Sequence, residues 1–382
     1  GLDKKPYRCE HQISKLVFRN KDLFSCESAF KGASMSRNRF LNAVLATAFA
    51  FTGATQVGAA EFTMKLGHSN QPDPKNSVFH ACALKFEGLV EKYTNGRVDV
   101  VIFPAFQLGS EQEQVRASQL GTQESTIIST NNLNVFARSL GFLSLPYIFE
   151  TVAEGRNVID TGWDKFNEWS TKEAGVRLLT VIDAGFRDLT TNDAHPVRNL
   201  ADLRKAKIRV PPNPIMIGAF KSWGVEPMPL AWSETFNALQ QKVVDGQENP
   251  INVMLAVKFY EVQKYVTNMS YIYQSNFLVA SERWFQSLPT DLQAAVVRAG
   301  KETTDWERDY IEATTKSDIA RLKADHGIIF LGEPEDKPEW VKRARAIWPD
   351  YYDFIGKGDA DKGKKVVDAV IKMTAEYRAK NK

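Results

Sequence analysis

Four side chains between Arg187 and Pro250 have the chemistry to hold a small anion. Arg187 follows Gly185-Phe186 and opens a strand-like run that ends at the turn-forming pair Asn192-Asp193. Arg209 lies in the alternating run Lys207-Ile208-Arg209-Val210, which Pro211 and Pro212 stop because neither donates to a ladder and each fixes φ. The Arg209 guanidinium is thereby placed at the mouth of a strand. Two forked donors that keep their charge suit one planar carboxylate, held through paired hydrogen bonds. Trp232 either fills a core or stacks on the apolar face of a ligand while donating one N–H. Asn249, in the turn expected at Gly-Gln-Glu-Asn-Pro, either shapes that turn or meets the ligand.

From Glu61 onward strand-like runs alternate with helical periodicity, which predicts α/β layers of mainly parallel strands. Strands are expected at Phe62 to Gly67, Val98 to Phe103, Ser125 to Ser129 and Val176 to Ile182. A helix through Phe79, Cys82, Phe86 and Tyr93 stops at Asn95-Gly96, and Ser110 with Glu113 forms a capping box for a helix closing at Gly121. The alternation restarts at Arg187, where the chain is expected to cross into a second lobe. There Ser233 is expected to cap a helix ending at Asp245-Gly246. A return crossing near Tyr273 brings Phe277-Leu278-Val279 back to the first sheet, and one helix from Thr290 to about His326 is long enough to span both lobes. The expected division is lobe I at 61–184 with about 274–312, and lobe II at 185–273 with about 313–382. His68, Asn131 and Asn132 follow strands, at the edges where ligands of open α/β sheets bind, and Asn213 follows the Pro211 stop. All four are candidate selectivity residues.

The block around Arg187 and Arg209 resembles the ligand-binding centre of the solute-binding proteins of tripartite ATP-independent periplasmic (TRAP) transporters, the DctP family. The resemblance extends from Phe62-Thr63-Met64-Lys65-Leu66-Gly67-His68 through Ile102-Phe103-Pro104-Ala105-Phe106-Gln107-Leu108-Gly109 and Leu145-Pro146-Tyr147-Ile148-Phe149 to the run from Lys258 to Tyr265. It implies a two-lobed fold with a hinge and a long helix spanning both lobes. It also implies that Arg209 pairs with the ligand carboxylate, that Arg187 assists, that Asn249 hydrogen-bonds to the ligand and that Trp232 faces it. The implied protein is a periplasmic monomer, not an enzyme and without cofactor or metal, that takes a sugar acid or other carboxylate to TRAP membrane subunits. A binding protein of an ATP-driven transporter shares the two-lobed plan but not this motif order. A periplasmic hydrolase of sugar acids would need a nucleophile and base that no motif supplies.

Residues 35–60 read as a secretion signal, with Arg37 and Arg39 before an apolar run from Phe40 to Phe51 and small residues at Val57-Gly58-Ala59-Ala60. Residues 1–34 precede it and are expected to be upstream sequence. The first 60 residues hold nine of the 49 Lys and Arg and four of the 46 Asp and Glu, which leaves 40 against 42 in the rest. A chain so close to neutral has no bulk charge for nucleic acid or anionic membranes, so the two arginines must act locally. Cys82 alone of the three cysteines remains, which excludes an internal disulfide and suits a small buried hydrophobe. His80 and His195 have no partners at metal-ligand spacing, and the Asp359-Ala360-Asp361 stretch lacks the acid that closes a calcium loop.

Overall fold

The computed structural model describes residues 60–381. The segment 1–34 and all but the last residue of the expected signal lie outside the described residues. Strand β1 (Phe62–Gly67) pairs in parallel with β2 (Val98–Phe103) and, at its end, with β3 (Ser125–Ser129). Helix α1 (Val78–Thr94) opens on Ser77, whose hydroxyl accepts from His80 N at 3.2 Å, and closes at Asn95 in the left-handed region with φ 52°. Helix α2 (Glu111–Leu120) has the expected capping box, with Glu113 accepting from Ser110 N at 2.8 Å, and ends at Gly121 with φ 77°. Helix α3 (Val152–Ala174) then leads into β4 (Val176–Thr191).

Strand β4 is where the structure departs most from the sequence pattern. Two separate strands are expected, at Val176 to Ile182 and from Arg187, yet the chain forms one strand of 16 residues. A register shift between Asp183 and Gly185, with Gly185 at φ 83°, bends it without breaking it. After it come β5 (Ile208–Val210), α4 (Pro214–Ser222), β6 (Met228–Pro229), α5 (Trp232–Gln240), β7 (Gly246–Pro250) and β8 (Tyr265–Thr267). Strand β9 (Tyr273–Ser281) returns to the first sheet, followed by α6 (Thr290–Ala324), β10 (Ile329–Gly332), α7 (Lys337–Ala346) and α8 (Ala360–Lys380). The strand order is β2-β1-β3-β9-β4-β7-β5-β6, with β8 on β4 and β10 on β8. The chain crosses on β4 and returns on β9, so these neighbours run antiparallel, and the sheet is mixed rather than mainly parallel.

Strict alternation buries both faces of the first half: Ile127 and Leu278 belong to one core and Ile128 and Phe277 to the other. The second half is covered likewise, by Phe220, Trp223 and Trp340 on one side and Leu239, Phe259 and Leu322 on the other. Helix α6 contributes Leu292 and Val296 to a core of the first half and Leu322 to one of the second, and its 35 residues give a length of about 52 Å. The tail corrects the expected division, because Val367 and Val370 of α8 pack in the first half while Trp340 of α7 packs in the second.

At Gly300 the helix α6 lies directly against β4. A Cβ there would stand 2.2 Å from the Leu179 carbonyl oxygen, and the contact is fixed by Thr180 Oγ1 donating to Gly300 O at 3.1 Å and Val181 N donating to Thr304 Oγ1 at 3.1 Å. Gly300→Ala should therefore destabilise the protein by about 1–3 kcal/mol although alanine is the better helix former. Urea denaturation measures this, and an unchanged midpoint would mean that the helix is not seated there.

Candidate functional site

A cavity of about 60 Å³ lies between the two halves of the sheet, with Arg187, Arg209, Trp232 and Asn249 on one wall and Asn131 and Asn132 on the other. It shares Ser69, Asn76, Trp232 and Ala256 with a wider cleft of about 670 Å³. Arg209 reaches the cavity because β5 ends at Val210 before the two prolines, as the sequence indicates. It is 1% exposed, and its Nε and Nη2 donate to the Leu230 carbonyl at 3.1 and 2.6 Å. That carbonyl is its one hydrogen-bond acceptor among the described residues, so three of its five N–H groups stay available. Burial, reinforced by the like charge of Arg187 and opposed by the carboxylates of Glu248 and Glu111, pushes the guanidinium down to about 9. It remains charged at neutral pH and lies 5.6 Å from the centre of the Trp232 ring.

Arg187 is in a different electrostatic state. Its Nε and Nη2 grip the Glu248 carboxylate, the second at 2.9 Å, while Nη2 also donates to the Glu248 carbonyl at 2.5 Å and Nη1 to Gln274 Oε1 at 2.7 Å. The Tyr271 hydroxyl completes the group by donating to Glu248 Oε2 at 2.7 Å. Both ions are buried, at 2% exposed for Arg187 and 0% for Glu248. Two equivalent arginine forks on one carboxylate are thus not what the fold presents: Arg187 lines the cavity already neutralised, with one N–H to offer. Glu248 went unnoticed in the sequence because Gly-Gln-Glu-Asn-Pro reads as a turn, whereas Gly246–Pro250 is strand β7, antiparallel to the Arg187 half of β4. Read as a strand, the segment puts Gln247 and Asn249 on one face and Glu248 on the other. Asn249 Nδ2 accordingly donates to Gln247 Oε1 at 2.5 Å.

Trp232 is the first residue of α5 rather than the residue before a cap at Ser233. Ala231 is the cap, its N–H donating to Glu234 Oε2 at 3.1 Å, and the helix ends at Gln240, short of Asp245. Asn132 Nδ2 donates to Glu111 Oε2 at 2.7 Å, and Asn131 Oδ1 accepts no hydrogen bond from the described residues. The other two sequence candidates do not reach the cavity. Asn213 Oδ1 caps α4, accepting from Ile215 N at 3.1 Å and Met216 N at 3.2 Å, while its Nδ2 bridges to the opposite half through Asn131 O and Asn134 Oδ1, both at 2.8 Å. His68 lies behind the wall, its Nδ1 accepting from Asn70 N at 3.2 Å, so that its Nε2 donates to His80 Nδ1 at 3.1 Å. Burial, with His80 beside it, pushes His68 down to about 3 and keeps the pair neutral. Among the described residues no group of three or more His, Cys, Asp or Glu stands close enough to hold a metal ion.

Asp188, next to Arg187, faces away toward Ser270 and Asn268. Burial pushes its carboxyl up to about 6 from 3.8, against three hydrogen bonds from those neighbours. A raised pKa means that the folded state holds the proton more tightly, so this contribution is full below about pH 4 and lost as pH rises through 6. Between those limits the parent protein should lose about 3 kcal/mol more than Asp188→Asn, measured by denaturation at a series of pH values. Parallel curves for the two proteins would contradict it.

Residues 68–353 match the family described as bacterial extracellular solute-binding protein, family 7. Three solved structures are similar over nearly their whole length. A TRAP periplasmic solute-binding protein from Rhodobacter sphaeroides, in an apo open state, is 40% identical with a TM-score of 0.68, over 82% of this chain and 99% of that one. One from Sulfurospirillum deleyianum with bound succinate is 31% identical with a TM-score of 0.72, over 80% and 98%. One from Roseobacter denitrificans with bound L-galactonate is 28% identical with a TM-score of 0.72, over 82% and 99%. With the family match covering most of the described chain and the two-lobed architecture shared, the protein belongs to the family 7 bacterial extracellular solute-binding proteins, of the TRAP transporter type.

Proposed function

We propose that the protein captures a small organic acid in the periplasm, with the ligand carboxylate on Arg209, and delivers it to TRAP membrane subunits as a monomer without chemical change. The observation that carries this reading is Arg209, a buried charge that faces a cavity with no carboxylate of the described residues hydrogen-bonded to its guanidinium. A guanidinium removed from water is costly until an anion reaches it, and the remaining N–H groups match the two oxygens of a carboxylate. Trp232 beside it offers an apolar face and Asn249 a polar contact. The succinate and L-galactonate of the two relatives are both carboxylates, which supports the same class here.

The lobes are taken as 61–184 with about 274–312, and 185–273 with the chain from about 313 apart from α8, with rotation about the bulge at Gly185 closing the cleft. Closure removes water from the guanidinium and its ligand and so strengthens their attraction. A thermal-shift screen of carboxylic acids tests the reading: acid at a hundred times its dissociation constant should add about 2.7 kcal/mol of stability. Solution scattering should show a smaller radius of gyration in its presence, and the acid should be recovered unchanged. No stabilisation by any carboxylate, or conversion of the acid to product, would overturn it.

A further inference from the structure

The carboxylate reading concerns one end of the ligand, and the inference that follows rests on it. The wall facing Arg209 is rich in acceptors. Glu111, at the start of α2, is 5% exposed and lines the cavity. Its hydrogen-bond partners among the described residues are all neutral donors: Ser69 Oγ at 3.0 Å on Oε1, and Ser129 N at 3.1 Å, Ser129 Oγ at 2.6 Å and Asn132 Nδ2 at 2.7 Å on Oε2. These bonds fix the carboxylate without neutralising it, and Oε1, with one bond, retains capacity to accept another. Around the same cavity the Oδ1 atoms of Asn76, Asn131 and Asn252 accept no hydrogen bond from the described residues.

The charges then determine what kind of acid fits. Arg187 is cancelled by Glu248, and Arg209 is cancelled by the first carboxylate of the ligand. What remains is the negative charge of Glu111. We propose that Glu111 selects monocarboxylates whose far end carries hydroxyl groups, and rejects dicarboxylates. Hydroxyls donate to Oε1 and to the amide oxygens, whereas a second carboxylate brings only acceptors and a like charge into a desolvated cavity whose lining, among the described residues, holds no cation besides the two arginines. Specificity of this kind comes from a repulsive element built against the competitor.

The test is calorimetry with matched acids of four to six carbons, each pair an aldonate and the aldarate of the same configuration, such as galactonate and galactarate. The members differ only in a terminal CH₂OH against a second carboxylate. The parent should bind the aldonate of its best pair about 100-fold more tightly, the factor expected of a like charge a few ångströms away in a desolvated site. Glu111→Gln should narrow that ratio to about tenfold or less while keeping the parent's melting temperature. An aldarate that binds the parent as tightly as its aldonate overturns the inference, as does an unchanged ratio in a folded Glu111→Gln. Should that variant not fold, the ratio in the parent decides. Binding of neither acid in any pair, with no other carboxylate raising the melting temperature, would instead mean that the carboxylate reading itself is wrong.

Discussion

Arg209→Lys should weaken acid binding by about 2–4 kcal/mol although the positive charge is kept. An ammonium is a point donor that cannot make two parallel bonds to one carboxylate, and it cannot reach past the Leu230 carbonyl with the same geometry. Arg209→Met separates binding from stability. The free parent holds this guanidinium desolvated with only a carbonyl acceptor, so an apolar side chain of similar length should leave the ligand-free protein as stable as the parent or more so while binding is lost. Calorimetry and thermal denaturation of the same two variants measure both effects. Lysine binding within twofold of the parent would show that the carboxylate is anchored elsewhere.

Glu248→Ala should be among the most damaging single substitutions outside the apolar cores, at about 3–5 kcal/mol of stability. It removes the carboxylate that neutralises Arg187 and leaves that guanidinium buried beside Arg209, two like charges with no carboxylate hydrogen-bonded to either among the described residues. It also leaves the Tyr271 hydroxyl, buried among Phe220 and Trp223, without its acceptor. Glu248→Gln, which keeps that acceptor but not the charge, should cost less than Glu248→Ala. Urea denaturation gives both values. A loss under about 1 kcal/mol for alanine would mean that Arg187 finds another anion.

The sequence made the α/β alternation, the first three strands, the caps at Ser110 and Asn95 and the long helix legible, because each rests on local physics: period, capping geometry and a left-handed stop. It also placed Arg209, since a proline pair ends a strand wherever it occurs. What it missed is non-local. The unity of β4 depends on β9 and β7 pairing along it through the Gly185 bulge, and a bulge looks like a break in a one-dimensional pattern. Glu248 and Glu111 are single acids in polar stretches, and only their partners, Arg187 on the neighbouring strand and Ser129 with Asn132 at the end of β3, distinguish them from solvated carboxylates. Asn213 and His68 show the converse. Residue type and position after a strand suggested a ligand contact, but in the structure a helix cap and a neighbouring imidazole occupy their polar atoms.

The most direct test of the central claim compares one acid with its own methyl ester. The acid that gives the largest thermal shift and its ester differ in a single charge and in the ability to accept two parallel hydrogen bonds, so calorimetry with the pair isolates what Arg209 reads. The ester should bind about 100-fold more weakly or not at all, in line with the loss of a desolvated charge pair. Equal affinity for acid and ester would contradict the assignment of Arg209 as the carboxylate anchor.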